Sequence, residues 1–404
     1  MSVGQTPSAV RRDGTVSVRP SVTSLTPREL RETRRHAHRT PYTRCMASKG
    51  SVLVAMSGGV DSSVAACLLK EQGYDVLGSH LGLIHGVDGV DHGCCGPTAR
   101  ADAEAVARMG GFDVEIVDMS ETFERTVLAD FFAEHAAGRT PNPCARCNQH
   151  IKFGAFLERA DRLGIDFVAT GHYVRSGVDD DAVWHLRRGL DVNKDQSYML
   201  HMLGQRELAR SLFPVGDLSK VETRRQAERL GLPVAAKADS QEVCFVPGAD
   251  HAAFLEARAP ALARDGDIVD ADGGVIGRHR GAFRFTVGQR RGLGVSTGER
   301  TYVLDVDAAA NRVVVGSGEL LARRGVEADR VHWVAGRAPA RGPFEACAQL
   351  RYRSAPVPAV VEPTTEGARI ELRTPQRGVA PGQSVVLYQG DEVLGGGRIV
   401  AALR

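Results

Sequence analysis

The stretch AMSGGVDSSVAACLL, Ala55 to Leu69, constrains the start of any fold this chain can adopt. It continues the apolar run SVLVAM, which reads as a buried strand. Val60, Val64, Cys67 and Leu68 then recur at helical spacing. Backbone N–H groups at a strand–Gly–Gly–helix junction form an anion nest, and the helix dipole adds to it. The plain alternative is a tight turn that binds nothing. Serines clustered with an aspartate at the same turn weigh against that alternative.

A Walker loop reads G-x-x-x-x-G-K-[ST], with the lysine reaching the β- and γ-phosphates. No lysine lies between Ala55 and Leu69. Backbone N–H groups and the hydroxyls of Ser57, Ser62 and Ser63 are therefore expected to hold the β- and γ-phosphates as a unit. That leaves the α-phosphorus open and suits adenylyl transfer, with pyrophosphate as leaving group. Asp61 is placed to help hold Mg²⁺, which neutralises the departing charge.

Strands and helices alternate after the loop. DVLGSHLGLI, DVEIVDM and FVATGHYV read as strands. Thr98–Met109, a segment opened by Ser120, and a segment marked by Phe153, Phe156, Leu157 and Leu163 read as helices. This is the pattern of a parallel sheet covered on both faces. Val221–Leu232 reads as one more helix. Beyond Ala282 the runs are short and β-branched, separated by Gly, Asp or Pro, and they predict a small antiparallel barrel that includes a hairpin over 301–318. The expected division is a parallel-sheet catalytic domain over 47–212, a central domain over 213–280 and a β-barrel over 281–404.

With 404 residues, two or three domains are expected. No run approaches membrane-span length. A net charge of +2 means that any nucleic-acid partner must be met by local basic patches. Arg278, Arg280, Arg284, Arg290 and Arg291 form one such patch. Arg351 and Arg353, read as alternate residues of a strand, form another. Residues 1–46 are Arg- and Ser-rich and read as a disordered tail or a misplaced start, ahead of a transit peptide.

The eight cysteines, Cys45, Cys67, Cys94, Cys95, Cys144, Cys147, Cys244 and Cys347, are too unevenly spaced for a secreted disulfide framework, so a reducing cytoplasm is expected. GRTPNPCARCNQHIKF places Cys144 and Cys147 in a C-x-x-C beside a helix start, where the dipole favours thiolates. A zinc knuckle would need a second pair of ligands. Cys94 and Cys95 receive no role. Cys244, in KADSQEVCFVPG, is a packing residue on its own and a candidate sulfur carrier when set beside the nucleotide loop and Cys147.

SGGVDSS resembles the signature of the ATP pyrophosphatase, or PP-loop, superfamily. Together with GRTPNPCARCNQHIKF, ATGHYV, NKDQSYML, LFPVGDL, SQEVCFV, FTVGQRRGLG and PGQSVVLY, it makes the chain from Ser51 onward resemble the bacterial tRNA-specific 2-thiouridylases. The resemblance implies an adenine-nucleotide-hydrolase-like parallel-sheet domain, a small central domain and a C-terminal antiparallel β-barrel. It implies a sulfurtransferase in which ATP adenylates C2 of the wobble uridine of Lys-, Glu- and Gln-type tRNAs. A persulfide, loaded by a cysteine desulfurase or sulfur-relay protein, then delivers sulfur.

By matched position, Cys244 is the implied persulfide carrier and Cys147 the second nucleophile, the two ending as a disulfide. Ala55, Met56, Ser57, Gly58, Gly59, Val60, Asp61 and Ser62, with Leu81 and Gly171, are implied to hold ATP. Asn142, Pro143 and Cys144 are implied to meet the target base. His172, Lys194, Asp195, Gln196, Arg351, Tyr352 and Gln383 are implied to contact tRNA. Many relatives carry aspartate at the position of Cys144, so this thiol is a candidate for the base-activating role.

Two other function classes fit parts of the sequence. A synthetase that adenylates a small molecule would use the loop but has no use for Cys147 and Cys244. A tRNA- or metal-binding protein would use the cysteines as ligands only. Cys144, Cys147 and Cys244 could also hold an iron–sulfur cluster with one open position. The persulfide route is the preferred reading of the three.

Overall fold

A computed structural model describes residues 48–84, 96–239, 243–246, 248, 250–295 and 298–404. The readings made for residues 1–46 and for Cys45, Cys94 and Cys95 lie outside the described residues.

The chain opens with β1 (Ser51–Ala55), α1 (Val60–Glu71), β2 (Asp75–Gly82), α2 (Pro97–Gly110) and β3 (Asp113–Asp118). Two longer helical stretches follow, α3 over 120–136 and α4 over 143–163, and then β4 (Phe167–Ala169). The hairpin β5 (Val174–Val178) and β6 (Trp184–Arg188), the short α5 (Gln205–Ala209), β7 (Ser211–Leu212) and α6 (Lys220–Arg229) complete the first half. One parallel sheet of order β3-β2-β1-β4-β7 forms its centre. Successive residues of a strand face opposite sides. Accordingly Val52 and Val54 join one apolar cluster, with Val64, Val106 and Ala227. Leu53 joins the other, with Phe123, Phe131 and Phe156. All three β1 residues are fully buried, which is worth about 1.5–3 kcal/mol per side chain.

The helix ends follow local chemistry. Pro97 and Pro143 stand in the first turns of α2 and α4, where a missing N–H costs nothing. Ser219 and Glu222 form a reciprocal capping box at the start of α6. Both α3 and α4 contain wide π turns, over Glu124–Leu128 and Asn148–Ala155.

FVATGHYV, expected as one strand, is broken. β4 stops at Ala169, and β5 starts at Val174 in a different sheet. The cause is Gly171, where an added Cβ would lie 2.5 Å from the Ser62 nitrogen. The chain turns away there to pass the nucleotide loop.

After α7 (His251–Arg258) come β8 (Gly266–Val269), β9 (Val275–His279), β10 (Thr301–Asp307) and β11 (Arg312–Ser317), in a sheet of order β10-β11-β8-β9. The 301–317 hairpin therefore belongs to this sheet rather than to the barrel, and the expected boundary at 280 falls inside it. Ile268, Phe285, Val303 and Val313 share its core, which is what the boundary would have divided.

The barrel is built from β12 (Ala322–Trp333), β13 (Phe344–Gln349), β14 (Val357–Pro363), β15 (Gly367–Arg377), β16 (Ser384–Gln389) and β17 (Glu392–Leu403). Pairing of β12 with both β15 and β17 closes it, which removes the exposed sheet edges. The β5–β6 hairpin joins β17 through Leu186 and Val393, so the first half of the chain is hydrogen-bonded directly to the barrel. Arg351–Ser354 is a turn, not a strand, and Arg353 has φ of 62°. The expected two-arginine strand face does not exist, because the chain reverses there and Ser354 Oγ donates to the Arg351 carbonyl.

Candidate active site

The loop between β1 and α1 is tightly packed. Gly58 has φ of +67°, and a Cβ there would lie 2.2 Å from the Ala99 carbonyl oxygen, so only glycine fits against α2. Gly59 caps α1 with no side-chain acceptor for the first-turn N–H groups. Those groups are the donors an anion needs. Ser57 N donates to Ser62 Oγ (3.2 Å), and Ser63 Oγ donates to the Gly59 carbonyl (2.8 Å). Met56 is buried and its N–H donates to the Ser79 carbonyl, while its own carbonyl lies 3.0 Å from His80 Nδ1. Ala55 ends β1, and Val60 and Ser62 are buried in the first turn of α1. Leu81, on the neighbouring strand, is buried, and Gly171 lies against the Asp61–Ser62 backbone.

A lysine from a later segment stands beside the loop. Lys220 Nζ donates to Asp61 Oδ1 at 2.6 Å and approaches Asp239 Oδ1 at 2.9 Å. Tyr173 OH donates to the same Asp61 oxygen at 2.7 Å. Asp239 also receives Lys194 (2.7 Å) and Arg224 (2.9 Å). Lys237 Nζ bridges the Gly58 carbonyl (3.0 Å) and Asp102 (2.6 Å). Burial alone would raise the Asp239 carboxyl, but hydrogen bonds from Lys194 and Lys220 prevail and hold it at about 2. Burial, with the Asp61 charge, pushes the Tyr173 phenol far up, so it remains a donor. Lys220 occupies the first position of α6, where the helix dipole disfavours a cation. That local misfit is the one sequence signal that could have flagged it.

The residues present fit a magnesium nucleotide. A glycine pair flanked by the Ser57 and Ser62 hydroxyls leads into a helix N-terminus, and a carboxylate stands at the first turn. Asp61 is the residue that would hold Mg²⁺.

At α4, Asn142 Oδ1 accepts from Ala145 N (3.2 Å), fixing the helix start at Pro143. Cys144 and Cys147 are three apart and therefore neighbours on the helix surface. Cys147 is buried and Cys144 half-buried. The π turns begin at the next residue, Asn148, and such turns are frequent at functional sites. The segment 243–246 packs into the same apolar cluster as Cys147, with Cys244 at its margin. Phe245 anchors it, its ring 5.4 Å from both Phe123 and Phe131 and 5.7 Å from Phe254. Sequence segments about a hundred residues apart thus bring both sulfur candidates into one cluster. Among the described residues, no group of three or more Cys, His, Asp or Glu is arranged to hold a metal ion, so the geometry gives the iron–sulfur reading no support.

The expected tRNA contacts divide into two sets. Several are engaged within the chain. Asp195 is nearly buried and accepts from Arg188 (2.7 Å), which stacks on Tyr388. Gln196 accepts from Tyr173 N (3.0 Å). His172 is buried, with Nδ1 2.7 Å from Thr170 Oγ1, and burial drives it to the neutral form. Gln383 donates to the carbonyls of Thr140 and Pro141. The other set is more open. Arg351 and Tyr352 are exposed, and Lys194 is partly so. Tyr198 links the two sets, since its OH donates to the Ser384 carbonyl (2.8 Å) and its ring lies 6.1 Å from Tyr352. Asn142 Nδ2 donates to Ser384 Oγ (3.2 Å), so Asn142, Ser384, Tyr198 and Tyr352 form one run of contacts between the first half and the barrel. Of the basic patch before the barrel, Arg284 is paired with Glu256, and the exposed Arg278 reaches Asp267 at 3.8 Å.

Three family models match in succession. They are the tRNA methyl transferase HUP domain over residues 50–248, the tRNA methyl transferase PRC-barrel domain over 252–317, and the aminomethyltransferase beta-barrel domain over 323–399. The tRNA-specific 2-thiouridylase MnmA of Pelobacter propionicus is 46% identical over 356 residues, covering 87% of this chain and 98% of its own. That of Geobacter metallireducens is 46% identical over 359 residues, covering 87% and 97%. This chain belongs to the tRNA-specific 2-thiouridylase family. The chain spans almost the whole length of both relatives. The third named relative, from Heliobacterium modesticaldum, is likewise 46% identical, over 88% of this chain.

Proposed function

We propose that this chain is an ATP-dependent tRNA-uridine 2-sulfurtransferase acting on wobble uridine 34, releasing AMP and pyrophosphate. The observation that carries the proposal is one scaffold with a lysine-free nucleotide loop at one end of the parallel sheet and Cys147 and Cys244 in one apolar cluster beside it.

The loop from Ala55 to Ser62, with Leu81 and Gly171, binds ATP. Mg²⁺ held at Asp61 supplies charge neutralisation to the pyrophosphate. The uracil O2 bonds to the α-phosphorus, which converts a poor leaving group into a phosphate ester. Asn142, Pro143 and Cys144 position the base, and Cys144 occupies the base-activating position. The terminal sulfur of a Cys244 persulfide attacks C2 and AMP departs. Cys147 then attacks the Cys244 sulfur. The sulfane sulfur stays on the base, and the two cysteines end as a disulfide that an external dithiol must reduce. Lys194, Arg351 and Tyr352 take the tRNA. The tRNAs are of Lys, Glu and Gln type, a desulfurase or sulfur-relay protein loads Cys244, and the site of action is the cytoplasm. No described helix is long and apolar enough to cross a membrane.

Nucleoside mass analysis of tRNA incubated with the protein, ATP and a persulfide source tests this. Appearance of 2-thiouridine with stoichiometric AMP is expected. Adenylation of a small molecule without any change in tRNA would establish the synthetase alternative instead.

A further inference from the structure

The nucleotide loop has no lysine, yet it is ringed by cations from later segments. Lys194, Lys220, Arg224 and Lys237 are held there by Asp61, Asp102 and Asp239. Lys220 is the most enclosed, with 11% of its side chain exposed. Its backbone is fixed too, because its N–H donates to Asp191 Oδ2 at 3.0 Å. A buried ammonium requires anionic partners, and Lys220 has two, one in the loop and one outside it. Asp239 is the outside one. It lies on a stretch with no helix or strand and draws in three cations with one carboxylate. A carboxylate that gathers three cations beside a phosphate nest marks a place where polyphosphate charge is balanced.

We propose that Lys220 is the phosphate-binding lysine of this site, contacting the β- and γ-phosphates of ATP, and that Asp239 takes the place of those phosphates when ATP has not bound. This rests on the adenylation reading above and extends it to a residue outside the loop. In the step that Lys220 serves, the uracil O2 forms a bond to the α-phosphorus. The bond from that phosphorus to the bridging oxygen breaks, its electron pair leaves on pyrophosphate, and the N3 proton passes to the base-activating group at Cys144. Lys220 acts by charge.

The test is calorimetric binding of ATP and of AMP to the full chain without tRNA. Lys220→Met should weaken ATP about tenfold or more and AMP less than about twofold, since AMP has no β- or γ-phosphate. Lys220→Arg should restore most of the loss. Asp239→Asn should tighten ATP severalfold, because it removes a competitor. Equal losses for ATP and AMP in Lys220→Met, or weaker ATP binding in Asp239→Asn, would overturn the proposal and leave the pair as a structural tie. If Lys220→Met does not fold, the sign of the Asp239→Asn change decides alone. The adenylation reading is judged separately, from the wild-type products with tRNA. ADP and orthophosphate would end that reading without altering the ATP-versus-AMP contrast.

Discussion

Gln383, at the mouth of the barrel, donates its side-chain amide to the backbone carbonyls of Thr140 and Pro141, each at 3.0 Å. Both amide hydrogens are thereby used on the approach to the cysteine helix. A third bond, from Thr140 N to the Pro381 carbonyl at 2.8 Å, holds the same loop. Gln383 therefore acts on Asn142, Pro143 and Cys144 through the chain. Gln383→Ala strands two carbonyls, at a cost of about 1–3 kcal/mol. We expect a lower Tm and slower thiolation, with the salt dependence of tRNA binding unchanged. Weaker tRNA binding with an unchanged Tm would instead mark Gln383 as a direct contact of the tRNA.

A second junction is ionic. Glu134 on α3 is nearly buried, accepts two bonds from Arg139 at 2.7 Å, and pairs with Arg398 of β17, which also grips Asp329. Burial opposes ionisation of Glu134, but the Arg139 hydrogen bonds and the Arg398 charge outweigh it and lower its pKa. Removing one partner of such a buried pair costs about 3–5 kcal/mol. A carboxylate with a depressed pKa contributes stability above its unfolded pKa and loses it as pH falls through the folded value. The Tm gap between wild type and Glu134→Gln should therefore be full at neutral pH and shrink below pH 4.5, the unperturbed value. A gap that persists undiminished in acid would mean that packing, not charge, holds this junction.

His185 has the opposite pH sign. Nδ1 lies 2.7 Å from Glu392 and Nε2 lies 2.8 Å from Asp179, so the ring clips the β5–β6 hairpin to β17 with Nδ1 and braces the hairpin's own turn with Nε2. The Asp179 and Glu392 hydrogen bonds raise its pKa above 6.5. Its contribution is complete below pH 6.5 and fades as pH rises through the folded value. Hydrogen exchange in residues 174–188 should quicken with alkaline pH more than intrinsic chemistry requires, and His185→Gln should remove that excess. Identical profiles for the two proteins would dismiss the clip.

What the sequence made legible was whatever depends on local period. α1 follows its glycine pair, and the Thr98–Met109 reading became Pro97–Gly110. The break at Gly171 was invisible because its cause, contact with Ser62, comes from a residue more than a hundred positions away. The same holds for the hairpin over 301–317, whose alternation suits either sheet, and only its pairing with Asp267–Val269 decides the matter. Lys220 has no local signature beside the loop, because its ion pair with Asp61 joins positions more than a hundred residues apart. The cysteines were recognisable as chemistry, yet the packing of Cys147 and Cys244 on one apolar cluster depends on Phe245 meeting Phe123 and Phe131, a tertiary fact.

The final prediction separates the roles of the three cysteines. Cys147 is buried in the cluster that receives the 243–246 segment, and Cys144 is half-buried one step closer to the start of α4. If sulfur travels on Cys244, Cys244→Ser should abolish 2-thiouridine while tRNA-dependent pyrophosphate release survives, because the nucleotide loop is untouched. Cys147→Ser should also stop turnover but leave Cys244 able to accept a persulfide, visible as added sulfur by intact-protein mass. Cys144→Ala should slow the reaction without ending it, and Cys144→Asp should keep substantial activity, because a carboxylate can take over base activation. These outcomes should hold for protein purified anaerobically and free of iron. Activity that required iron and sulfide reconstitution, and that vanished equally in all three variants, would transfer the sulfur-carrying role from Cys244 to a cluster.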